Sequence, residues 1–362
     1  MSEIRKRSPR PVATGAPGAR RGGAATETSA EAPISVEPRP TEPAPPSAAP
    51  PAKVVTRPGD RIFSGLARGS GLLIVIMIAA IGAFLLAQAI PSLVDNKANF
   101  LFSRQWVAGD PDNLAFGVLD ILLVTVFSSL FALIIAMPVS LGIALFLTQY
   151  APRRLARPFA YVIDLLAAVP SIIYGLWGAV VLAPALDPVT GWLNDALGFI
   201  PIFATGNVNR SIGQTIFTAS IVLAVMVLPI ITAITREVFE RTPTMQIEGA
   251  LALGATRWEV VRTTVLPFGK AGYISASMLG LGRALGETIA VMIILATTGA
   301  NFGWSLFDGG DTIASKIARA AAEFNDPRSA GAYIAAGLVL FLLTFVVNAV
   351  ARSFIAGKKE YE

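Results

Sequence analysis

The sequence predicts an all-α membrane protein with six transmembrane helices, a structured cytoplasmic loop and a disordered N-terminal tail. Three observations predict it. The 362 residues are 54% hydrophobic and only 15% charged, with a mean hydropathy of +0.62, far too apolar for an ordinary soluble domain. Six stretches reach the roughly 20 predominantly apolar residues that a spanning helix needs. They fall near 71–90, 121–147, 161–182, 212–235, 273–296 and 333–354. Finally, lysine and arginine concentrate in alternate connecting segments.

The tail comes first. Residues 1–65 are rich in Pro, Ala, Gly, Ser, Thr and charge and poor in large apolar side chains. Such a segment buries too little surface to offset its ordering entropy. No apolar core follows its early basic residues, so it does not read as a signal peptide. Through Arg68 it holds 11 Lys/Arg against 6 Asp/Glu, which accounts for the whole net charge of +5. Attraction to anionic lipid is one reading of that charge, and a solvated tail held in the cytoplasm is the other. Residues 66–356 then form the six-helix membrane domain.

The basic residues orient it. The tail, the loop after span two (Arg153, Arg154, Arg157), the loop after span four (Arg236, Arg241, Arg257, Arg262, Lys270) and the C-terminal end (Arg352, Lys358, Lys359) hold 22 of the 29 Lys/Arg. The opposite loops hold Lys97, Arg104, Arg210, Lys316, Arg319 and Arg328. The bias places both termini in the cytoplasm. Trp106, Trp192 and Trp304 then fall outside, where aromatic side chains anchor helices at the interface. Within the external segment 298–332, TIASKIARAAAEF reads as a short amphipathic helix lying at the surface.

Prolines and charges mark the spans. Pro138 and Pro229 lie within or near apolar runs. Pro170, in the segment VPSIIYG, frees a backbone carbonyl and is followed at once by Ser171. A broken helix beside an ion path and a tolerated kink both fit. Asp120 and Asp164 sit near span ends, interfacial or paired with neighbouring helices.

Span five, SASMLGLGRALGETIAVMIIL, carries Arg283 and Glu287 near its middle. On a continuous helix, residues four apart share a face. Each charge costs about 2.5–3.5 kcal/mol at the centre of a bilayer, so something inside the protein must meet it. Either the two line a path for an anion or they form a structural pair between helices. Gly282 and Gly286 form GxxxG, a spacing that permits close helix packing; it is wrong for a dinucleotide loop.

The cytoplasmic loop 236–270 is too patterned for a plain connector. Thr242 is placed to cap a helix with Pro243 in its first turn, running through MQIEGALAL. Gly254 suits the position after its end. Thr256 and Glu259 form a capping box for a second short helix, WEVVRTTV, with Pro267 as its stop. Glu248, Ala250, Gly254, Leu266 and Pro267 match the spacing of E-A-A-x3-G-x9-I-x-L-P, with Gly249 and Thr264 as departures. That loop resembles the coupling loop of ABC importer permeases. LAAVPSIIYGLWG (166–178) and GLGRALGETIAV (280–291) resemble, more narrowly, the PstC type of phosphate-specific permease. The resemblance covers roughly residues 65–355.

The resemblance implies a permease of an ATP-driven importer in a bacterial plasma membrane. Its implied partners are a second permease of the PstA type, a cytoplasmic ATPase dimer of the PstB type that docks on the 242–267 loop, and an extracytoplasmic binding protein of the PstS type. ATP and magnesium belong to that ATPase, and no cofactor is expected in this chain. Arg283, Glu287 and Ser171 are the expected substrate path. Another oxyanion, molybdate or sulfate, is the nearest alternative to phosphate. A carrier driven by an ion gradient, with Glu287 as the coupling site, is a different class, and it needs no docking loop.

Enzymatic readings have little to stand on. Cysteine and histidine are both absent, which removes thiol chemistry, the commonest general base and the commonest transition-metal ligand. No G-x-x-x-x-G-K-[ST] occurs, so energy must come from another subunit or a gradient. No catalytic residue, metal site or nucleic-acid partner is expected.

Overall fold

A computed structural model describes residues 58–209, 213–297, 301–321, 324 and 326–356. Most of the expected tail, with Arg210, Lys358 and Lys359, therefore lies outside the described residues. The opening helix, α1 (Pro58–Asp95), leads into a small two-stranded hairpin, β1 (Trp106–Val107) against β2 (Ala115–Phe116). The long α2 (Leu119–Leu145) continues through a wide π turn, Phe146–Tyr150. Next come α3 (Arg153–Ala167), α4 (Ser171–Trp177) and α5 (Ala183–Leu197), then α6 (Ile216–Glu240). The loop helices are α7 (Thr244–Ala252) and α8 (Arg257–Val260), followed by α9 (Leu266–Leu285) and α10 (Ile289–Ile294). The chain closes with α11 (Ile313–Ala320) and α12 (Pro327–Ala356).

Five helices among the described residues are long and apolar enough to cross a membrane, and the interrupted α9–α10 supplies the sixth expected span. Helices are the solution here because lipid offers no partner for a free backbone N–H or C=O. The core lies around α6, which packs on α2, α9 and α3. The hydroxyl residues along its apolar stretch turn inward: Ser220 donates to the Ile216 carbonyl at 2.7 Å and Thr232 to that of Leu228 at 2.8 Å.

Two spans differ from expectation at their breaks. The third is not 161–182. Pro170 ends the amphipathic α3, and the spanning helix is Ser171–Leu197. The fifth is not one helix: it breaks at Gly286–Thr288, so Arg283 and Glu287 do not share a face of a continuous helix. A Cβ added at Gly282 or Gly286 would meet no neighbouring helix among the described residues. Instead α9 closes on α6 through Gly269, Gly272 and Gly280, where a Cβ would press on Phe239, Val238 and Ile231.

Three smaller expectations also change. Pro267 does not stop a helix. A π turn over Val261–Val265 carries α8 into α9, and Pro267 sits in the first turn of α9. The wider turn absorbs the missing N–H and the ring of the proline. The same device precedes Pro184, where a π turn at Gly178–Leu182 joins α4 to α5. The helix at 313–320 does not lie on the surface: Ile313, Ala314, Ser315 and Ala320 are buried, and α11 packs on α12, α10 and α2. Trp106 is likewise no interfacial anchor, since its ring stacks among Phe116 and Tyr333.

Candidate functional site

The two breaks meet. A Cβ at Gly175 would lie 2.7 Å from the Cα of Ala290, and one at Gly178 would lie 3.0 Å from Ile294 Cδ1. The order of these contacts makes α4 and α10 parallel, with their starts at the same end of the packed pair. Ser171 opens α4, half-buried, and Glu287 lies two residues before α10, ahead of its N-cap Thr288.

Each break satisfies its freed backbone groups in its own way. Proline at 170 removes the N–H that would otherwise reach the Leu166 carbonyl. The hydroxyl of Tyr174 donates to that carbonyl instead, at 2.9 Å. At the second break, Glu287 is buried at 9% exposure, and its Oε1 accepts from the Ala290 N–H at 3.2 Å. Glu287 thus sits where a carboxylate favours the positive start of α10.

Arg283 lies in the last turn of α9. It is exposed on the isolated chain and has no ion-pair partner among the described residues. The structural Arg283–Glu287 pair is therefore not formed. The structure gathers Ser171, Tyr174 and Glu287 around one pair of breaks, with Arg283 in the last turn before the second. Tyr174 escaped sequence reasoning, although its position one turn after Pro170 was a usable signal.

Two acidic residues singled out near span ends are paired. Asp120 pairs with Arg104 at 3.5 Å, and Asp164 with Arg236 at 3.7 Å, as their positions at span ends implied. No cluster among the described residues is arranged to hold a metal ion.

The loop 236–270 forms a second candidate surface. Its first helix is α7, in which no residue is buried; Met245 and Leu253 are 83% and 91% exposed. Pro243, not Thr242, holds the N-cap position, and the Thr242 hydroxyl is buried without a hydrogen bond among the described residues. Glu248 is exposed and Ala250 half-buried. Gly254 takes φ +86° after the helix, the left-handed conformation expected of it. The Thr256–Glu259 capping box is present. The backbone and hydroxyl of Thr256 hold the Glu259 carboxyl below its ordinary pKa. Ile247 and Leu266 seat the loop on a cluster of Ala144, Phe239 and Val265. The loop is thus fixed to α2 and α6 through Ile247, Val265 and Leu266 while Met245 and Leu253 stay exposed, and it runs straight through Pro267 into α9.

A membrane bundle with an interrupted, charge-bearing span and a seated, outward-facing loop defines a transport permease. Residues 136–359 match the family described as binding-protein-dependent transport system inner membrane component, and the chain belongs to that family. Among its relatives is the phosphate transport system permease protein PstC 2 of Mycobacterium tuberculosis, 59% identical over 83% of this chain and 93% of that protein. The PstC permease of Mycobacterium leprae is 57% identical over 84% of this chain and 95% of its own length. That of Xylella fastidiosa is 40% identical over 81% and 89%. The chain is a multi-pass membrane protein of an ABC importer permease family, and that family is one of transport subunits, not enzymes.

Proposed function

We propose that this chain is the permease subunit of an ATP-driven importer of inorganic phosphate. It works with a second permease of the PstA type, a PstB-type ATPase dimer and a PstS-type binding protein. Both termini face the cytoplasm. ATP and magnesium act in the ATPase, whose closure is transmitted through Glu248, Ala250, Gly254, Leu266 and Pro267 into α9. Arg283 contacts the passing anion. Glu287 and Ser171 line the same path, the carboxylate setting the anion's position and opposing tight capture. The observation that carries this reading is the charge at the second break: Arg283, with no ion-pair partner among the described residues, lies in the last turn of the helix that continues from the loop, and the buried Glu287 follows in the break. The names of relatives 57–59% identical support phosphate as the substrate.

The test is uptake of labelled phosphate by the complete transporter in proteoliposomes, with ATP inside or out. Arg283→Gln and Glu287→Gln should each lower uptake by about 100-fold or more, with the complex still assembled. Molybdate and sulfate should not compete. If uptake survives in both variants, the path assignment is wrong. If it persists with an inactive ATPase and collapses with the ion gradient, the importer reading fails.

A further inference from the structure

The far end of α10 is held by a group that neither the path nor the coupling loop accounts for. Arg319, in the last turn of α11, donates from Nη2 to the carbonyls of Met292 at 2.8 Å and Leu295 at 3.1 Å. These are carbonyls at the end of α10, and a cation there satisfies them and favours the helix dipole. From Nε the same guanidinium reaches Asp311 Oδ1 at 3.0 Å, and Lys316 approaches the other oxygen at 3.4 Å. Asp311 is 5% exposed, so the fork is held by a fixed acceptor. The start of α11 is itself anchored: the Ile313 N–H donates to Thr125 of α2 at 2.9 Å, and that hydroxyl donates to the Ile121 carbonyl.

We propose that Arg319 is a positioning residue for the transport path. It ties the far end of α10 through α11 to α2, and so fixes the half-helix whose near end presents Glu287. One planar fork serving two carbonyls and a carboxylate sets both the rotation and the depth of α10. Gly310 also donates to Ala296 just beyond α10, at 2.9 Å, so losing the fork loosens the segment without releasing it. The role in uptake rests on the phosphate-import reading above; the clamp itself does not.

The test uses the assembled transporter. Hydrogen exchange of the backbone amides of 289–295 should quicken about tenfold in Arg319→Gln. Maximal phosphate uptake should fall by a similar factor, with KM within about twofold. Arg319→Lys should recover part of the uptake, because an ammonium reaches Asp311 and one carbonyl but not all three acceptors together. Asp311→Asn, which leaves the path and the carbonyl contacts intact, should move both readouts the same way by about threefold. It stands in if Arg319→Gln fails to assemble. Unchanged exchange in Asp311→Asn or Arg319→Gln overturns the clamp. A raised KM at unchanged maximal uptake makes Arg319 an anion contact instead. A wild-type complex that takes up no phosphate sinks the substrate reading, while the exchange measurement still decides the clamp.

Discussion

The two broken spans solve one problem with opposite chemistry. At Pro170 the break is imposed by a covalent ring, and a neutral hydroxyl from Tyr174 meets the carbonyl it frees. At Gly286–Thr288 no proline is present, and a buried carboxylate, Glu287, meets the amide of the next segment. A neutral cap holds a bend and does little else. A carboxyl cap also places an ionisable group inside the bundle, where such groups are tolerated chiefly for function. If the proposed path holds, the first break is scaffold for the second; Gly175 against Ala290 is where the two half-helices meet.

The most disruptive way to break that relation is at the joint. In Gly175→Val the new Cβ would lie 2.7 Å from the Cα of Ala290, and backbone cannot step aside as a flexible side chain does. The half-helices must separate. Overpacking of this kind costs about 1–3 kcal/mol and often more. Uptake should be lost, and the purified complex should unfold at a lower temperature. Gly178→Ala is milder in that its smaller side chain would meet side-chain rather than backbone atoms, Val222 Cγ2 at 2.5 Å and Ile294 Cδ1 at 3.0 Å. Uptake should survive it in part.

The second test separates the two roles of Glu287. Glu287→Ala removes both cap and charge, and losing a charged hydrogen bond at a buried amide costs about 1.5–3 kcal/mol. Glu287→Gln keeps an oxygen that can accept from the Ala290 N–H while removing the charge. Thermal unfolding should therefore fall in the alanine variant and stay close to wild type in the glutamine variant, with uptake lost in both. Equal destabilisation of the two variants would mean that the carboxylate's charge holds the break together.

The sequence revealed one of these breaks and hid the other, for a physical reason. Proline breaks helices by its own covalent structure, so Pro170 could be read directly, and only the choice between kink and break stayed open. Arg283 and Glu287 sit in a run whose spacing fits an unbroken helix. What breaks it is packing of α10 on α4 and capping by a side chain four residues from Arg283, neither of which composition records. Gly254 and the Thr256–Glu259 box were legible because they are local. Pro267 misled, since the π turn that absorbs it depends on the following helix continuing into the bundle. The six apolar runs were plain, yet apolarity did not say which face is covered: the apolar windows of α1 and α6 have mean hydropathy 2.7 and 2.5, but 6% and 67% of them is buried. The small buried hydroxyls of α6 were the available sign.

The smallest expected effect tests the neutral break. Tyr174→Phe keeps the ring that packs between α4 and the core and deletes only the hydroxyl. The Leu166 carbonyl then keeps only the weaker bonds of the tightened helix end, from Ala168 and from Val169 at 3.3 Å. A neutral hydrogen bond of this kind contributes about 0.5–1.5 kcal/mol, so the unfolding midpoint should drop slightly and the complex should still assemble. If the first break is only scaffold, uptake should fall by no more than the loss of stability implies, and KM should not move. If Tyr174 takes part in the path, KM should rise while the midpoint barely changes. The ratio of those two responses decides whether the proline break and the carboxylate break share one task or divide it.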